Sequence, residues 1–241
     1  MDMQDTTTLV VGIASVAIAG VALATRRQRT DLGLRPAGRL GVDLTRGAVV
    51  GLSGLLVLWL TVVVTGLAHA GPFGGREGLA ASAGVIGFFA VLFLIEEVVF
   101  RGLGTGGLAA FVGLWPATIV VNVLVALAYA FNDASSVLAV VSQILSNLVL
   151  GAARIRTGRI WAGLALKIAW NGGMIALGWP DSDFRLDVPL VGIRLDGPTW
   201  LTGGDFGAEA SLVGIVLLGL LLLAARQALR PTTTSSAAAK P

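Results

Sequence analysis

Glu96-Glu97-Val98-Val99-Phe100-Arg101-Gly102 places two carboxylates and a guanidinium at the end of an otherwise apolar stretch, Leu79 to Phe100. Ionisable groups at hydrocarbon depth are costly, so they face a bundle interior and mark a functional site. On a helix Glu97 and Arg101 stand at i and i+4 with the acid N-terminal to the base, the favourable order for a pair. Glu96 lies about 100° around the same helix and needs another partner. A second polar intrusion, Lys167 with Asn171 at i+4, interrupts Ile160–Gly178. Lys167 lies about 10 Å inside its segment at ~1.5 Å per residue, and the spare carboxylate of Glu96 is its expected partner. Desolvated lysines can be tuned to acid–base work, and intramembrane Glu and Lys are typical of proton relays. Tyr129, in Val125-Ala-Leu-Ala-Tyr129, is a further polar group near a helix end, where tyrosine is commonly an interface anchor.

The elements that must hold these groups are apolar. The 241 residues are 55% hydrophobic and 13% charged, with a mean hydropathy of +0.85. Such a chain is excluded from the soluble domains and fits an all-α, polytopic membrane bundle. Seven apolar segments stand out: Thr8–Thr25, Ala48–Ala68, Leu79–Phe100, Pro116–Phe131, Ser136–Ala153, Ile160–Gly178 and Ala210–Ala225. They predict about seven transmembrane helices in one domain, 1–230, followed by a disordered tail, 231–241, rich in Thr, Ser and Ala.

Charge orients the threading. With the N-terminus outside, only Arg76, Arg185 and Arg194 of the 17 basic residues fall in outer loops, and Lys167 falls within a segment. The rest face the cytoplasm, as the positive-inside rule expects. Asp2 and Asp5 before the first segment, and Arg26, Arg27 and Arg29 after it, suit a signal anchor better than a cleavable signal peptide. The inner stretch Asp31–Arg46 reads as a short interfacial helix. The outer stretch Trp179–Glu209 reads as a long acidic cap without regular structure. The formal charge of +3 is spread over short loops, which argues against nucleic acid. Without cysteine, neither disulfides nor thiolate metal sites can form.

Glu-Glu-x-x-Phe-Arg-Gly at 96–102 resembles the first motif of the CAAX-processing and bacteriocin-processing (CPBP) intramembrane metalloproteases. Arg156-Thr-Gly-Arg-Ile-Trp-Ala-Gly-Leu-Ala-Leu-Lys-Ile-Ala-Trp-Asn171 resembles that family's Arg-Thr-Gly, Trp-Ala and His-x-x-x-Asn pattern, and Val125–Tyr129 its Phe-x-x-x-His. The similar region spans 79–178. The resemblance implies a membrane endopeptidase in which Glu96 is the general base, Glu97 and Arg101 its supporting pair, and Asn171 the oxyanion donor. It also implies zinc, held with the help of two imidazoles. Both imidazole positions are altered here, to Tyr129 and Lys167. The single histidine, His69, matches neither and reads as an interface residue.

A catalytic zinc takes about three protein ligands, and a protonated lysine repels a cation. Charge replacement is the simpler expectation: Arg101 and Lys167 balance Glu96 and Glu97 with no cofactor. The leading reading is a proteolytically inactive relative that binds a membrane-associated or prenylated peptide, or a partner protein. A second is an active endopeptidase with a metal-poor site built on Glu96, Lys167 and Tyr129. A third is a transporter or proton relay, for which no internal repeat is evident. The expected location is a bacterial-type plasma membrane, with the C-terminus cytoplasmic.

Overall fold

A computed structural model describes residues 32–35, 39–131, 135–182 and 184–228. The first apolar segment, Thr8–Thr25, and the tail 231–241 lie outside the described residues. The protein is mostly helical. Helix α1 spans Leu40–Val64, α2 Gly75–Glu96, α3 Thr105–Val112, α4 Leu114–Ala128, α5 Val137–Thr157, α6 Trp161–Ala176, α7 Thr199–Thr202 and α8 Leu212–Ala228. An eight-residue π-helix, Glu97–Gly104, joins α2 to α3.

Among the described residues, three helical stretches are long and apolar enough to cross a membrane: Leu40–Val64, Gly75–Val112 and Val137–Thr157. Leu114–Ala128 and Leu212–Ala224 are shorter apolar helices. Helix α6 has 16 residues, or about 24 Å at ~1.5 Å per residue, which falls short of a ~30 Å hydrocarbon core. Large apolar side chains such as Leu52, Leu56, Phe88, Val91, Val216 and Leu220 point outward. A helical chain with this surface is an integral membrane protein, because lipid, unlike water, imposes no cost on exposed hydrocarbon.

Helix α6 is the centre. Small residues let its neighbours approach closely, as in membrane helix pairs generally. Gly47 and Gly51 of α1 lie against its backbone: a Cβ at Gly47 would stand 2.1 Å from the Ala162 carbonyl oxygen, and one at Gly51 2.7 Å from that of Leu166. On another side Gly172 accepts Ile86 of α2. Leu55, Leu58 and Val62 then join Val149 and Leu150 of α5, Trp170 and Met174 of α6, and Leu218 and Leu221 of α8 in one core. The glycine abundance of the sequence therefore serves packing within the chain.

Helix α5 begins at Ser136, whose hydroxyl accepts the Ala139 N–H, and stops at Gly158 in the left-handed conformation (φ +68°). Only glycine adopts that region without strain. The tight turn lets α5 and α6 lie side by side. At the same end Arg159 forms a two-point ion pair with Asp43 in the first turn of α1.

Three expectations are corrected. The apolar run from Leu79 does not end at Phe100; the helix continues to Val112, because the π-helical turns absorb Gly102 and Gly104 without breaking the hydrogen-bond ladder. Leu40–Arg46 is no separate interfacial helix but the first two turns of α1. The stretch Trp179–Glu209 has regular structure: its strand Val191–Leu195 pairs antiparallel with Ala68–Phe73, and both its ends are buried.

Candidate functional site

Glu96 is the last residue of α2 and Glu97 the first of the π-helix. Thr105 N–H donates to the Phe100 carbonyl, five residues back. π-Helical turns of this kind recur at functional sites. The two adjacent carboxylates diverge from this junction.

Glu97 turns into the bundle and is 0% exposed; Arg101, one turn on, is 1% exposed, with Nη1 3.2 Å from Glu97 Oε1. Arg101 Nη2 donates to Asn147 Oδ1 on α5, and Asn147 Nδ2 donates to the Gln143 carbonyl at 2.8 Å. Gly163 of α6 makes room for the carboxylate: a Cβ there would lie 3.2 Å from Glu97 Oε2.

Glu96 turns instead to α6 and forms an ion pair with Lys167. This pair is less enclosed, at 20% and 11% exposed. The ammonium also sits 4.5 Å from the centre of the Phe93 ring, a cation–π contact. Phe93 lies three residues before Glu96 on the same helix, so α2 provides both the carboxylate and the aromatic face for one lysine.

Tyr129, at the end of α4, packs between Phe100, Val121 and Val125 on one side and Ala139, Phe206 and Ala210 on the other. Its hydroxyl lies within the electrostatic reach of Glu96, Asp181 and Glu209. Linear threading puts Tyr129 and Glu96 at opposite depths; the 15-residue α4 and the continuous Gly75–Val112 helix bring them together. Asn171 stands one turn beyond Lys167 on α6, half-buried and outside these hydrogen bonds. His69 is far from the cluster in kind and place: it is exposed on the sheet, 3.2 Å from Asp196.

Two carboxylates join from the stretch read as a solvent-facing cap. Glu209 is buried, with Oε1 accepting from Gln143 Nε2 at 2.8 Å and Oε2 from Trp170 Nε1 at 3.1 Å. Asp181 is buried beside it. Burial raises the pKa of both, Asp181 to about 6 and Glu209 to about 8, with Lys167 opposing the rise in each. Gln143 and Asn147 carried a signal, being polar residues at i and i+4 in an apolar segment. Asp181 and Glu209 carried none, since nothing local separates them from the exposed acids around them.

Among the described residues no three His, Cys, Asp or Glu side chains converge as a metal-holding group. Glu96 is engaged by an ammonium, and Glu97 by a guanidinium. These residues do not fit a zinc ion, which needs about three such ligands.

Residues 78–173 match the model of the family described as type II CAAX prenyl endopeptidase Rce1-like. No curated protein and no solved structure matches the chain. The matched region holds Glu96, Glu97, Arg101, Tyr129, Lys167 and Asn171, and stops short of Asp181 and Glu209.

Proposed function

We propose, from the match of residues 78–173 to the Rce1-like family model, that the polar site of this chain engages a membrane peptide or partner protein without cleaving it. One observation carries this reading: the Lys167 ammonium stands where the family pattern has an imidazole and is paired with Glu96. A general base must hold and deprotonate a water. A carboxylate bound to a fixed ammonium has its lone pairs engaged by that donor. Lys167 also supplies the positive charge that a metal would otherwise bring. The Glu96–Lys167 and Glu97–Arg101 pairs then act as a keystone joining α2, the π-helix and α6.

The natural occupant is a membrane-associated or prenylated peptide, since the partly exposed Glu96–Lys167 pair lies within an apolar helical bundle. The threading that accompanies this reading keeps seven spans, with the N-terminus outside and the C-terminus in the cytoplasm of a bacterial-type cell. The end of the bundle holding the Asp43–Arg159 pair, Arg154 and Arg156 is its cytoplasmic end.

Purified protein in liposomes is expected to bind such a peptide and leave it intact. Hydrolysis that disappears in Glu96→Ala would overturn the non-cleaving reading. The double substitution Tyr129→His with Lys167→His is expected to gain stoichiometric zinc, measured by elemental analysis after gel filtration. If zinc is absent from a folded double variant, the loss of metal chemistry is not explained by these two positions.

A second reading rests on the partial exposure of Glu96 and the free amide of Asn171. In it Glu96 activates a water, Lys167 polarises the scissile carbonyl and Asn171 binds the oxyanion, as in an endopeptidase without metal. The same hydrolysis assay decides between the two.

A further inference from the structure

Glu209 belongs to the 3-10 turn Ala208–Ala210 that leads into α8, beyond the family-matched region. Its surroundings are unusual for a carboxylate. It is 2% exposed, and its two hydrogen-bond donors, Gln143 and Trp170, are both neutral. Its neighbour Asp181 is held in place by backbone: Ser182 N–H donates to the Phe206 carbonyl at 2.8 Å, and Gly207 (φ +122°) lies so close to Pro180 that a Cβ would meet its carbonyl oxygen at 2.5 Å. Only glycine fits there, and the contact pins the two acidic segments together.

Among the described residues no cation stands within ion-pair distance of Asp181 or Glu209, whereas the other two carboxylates of the cluster are paired. Glu96 and Glu97 each touch a cation directly. A buried carboxylate without such a contact takes up a proton.

We propose that Glu209 is a proton-binding residue: it carries a proton in the folded protein at neutral pH, and releasing it sets a new carboxylate against Glu96 in competition for the Lys167 ammonium. Gln143 suits both states. Its amide donates to the ionised carboxylate, and after a 180° turn its oxygen accepts the proton of the neutral acid. The groups facing Glu209 are Asp181 from the 179–190 stretch, Lys167 and Trp170 from α6, Gln143 from α5 and Tyr129 from the end of α4; α7 presents no charged group. Lys167 is three residues before Trp170, so charge on Glu209 acts on the helix turn that pairs with Glu96. This site stands whether the protein cleaves its peptide or only holds it.

Linkage has a definite sign. The unfolded carboxyl ionises near 4.5, and burial with Asp181 alongside raises it to about 8 in the fold. The folded state binds more protons across that window, so Glu209 contributes stability that is full below the lower value and lost as pH rises through the higher.

Infrared titration of the whole protein in lipid nanodiscs tests the proposal. A carboxylic-acid C=O band is expected to vanish as pH rises from about 6 to above about 8, and Glu209→Gln, which mimics the neutral acid, is expected to lack that titrating band. Asp181→Asn is expected to move the transition to lower pH, and Lys167→Met to higher pH. A band that does not change with pH in the wild type, or that titrates unchanged in Glu209→Gln, overturns the assignment. A midpoint unmoved in Lys167→Met overturns the link to Glu96. Should a variant not fold, a wild-type band that fails to titrate near pH 8 still overturns the proposal.

Discussion

Arg101→Leu is expected to cost the folded bundle about 3–5 kcal/mol, the range found when one member of a buried ion pair is removed. The physical reason is specific. Glu97 is 0% exposed, Arg101 is 1% exposed, and the guanidinium is the one cation within ion-pair distance of that carboxylate among the described residues. Removing it leaves Glu97 charged without compensation, or protonated at the expense of folding. Asn147 also loses the donor that satisfies its Oδ1. Adding Glu97→Gln to Arg101→Leu should recover a large part of the loss, because two neutral groups in the same volume avoid the uncompensated charge. Reversible unfolding in mixed micelles, arranged as a double-mutant cycle, measures both effects. Additive losses from the two substitutions would show that Glu97 and Arg101 do not depend on each other.

Lys167→Met should have the next largest effect, at about 3 kcal/mol. It lies at the lower end because Glu96 and Lys167 keep 20% and 11% exposure, so the abandoned carboxylate retains some solvation. Methionine keeps an unbranched apolar stem, so the substitution removes the ammonium with its contacts to Glu96 and Phe93 and little else. Pairing it with Glu96→Gln is expected to return stability close to that of the wild type. If Glu96→Gln alone is the more damaging change and Lys167→Met is neutral, the ammonium is not the partner that Glu96 requires, and the non-cleaving reading loses its support.

Both pairs were legible in the sequence for one reason: ionisable residues in apolar segments are so costly that each demands a partner, and few candidates exist. Glu97 and Arg101 could be matched by helix periodicity alone. Glu96 and Lys167, 71 residues apart, were matched by elimination. The continuous helix through Gly102–Gly107 was not legible, because glycine there reads as a break and only the neighbouring helices make the π-helical turn worthwhile. Asn147 owes its importance to facing Arg101 across two helices, which its spacing from Gln143 does not reveal.

By itself the sequence determined the class of molecule, a mostly helical membrane protein, its likeness to the Rce1-like family model within residues 78–173, and the two ion pairs Glu96–Lys167 and Glu97–Arg101. Hydropathy and local spacing are properties of short stretches, so they survive without a fold. Tertiary structure decided the rest: which end of α4 reaches Glu96, how closely α1 lies on α6, and that Asp181 and Glu209 leave the surface for the interior. Those outcomes depend on burial, and burial is set by segments distant in the chain meeting one another, which no local pattern encodes.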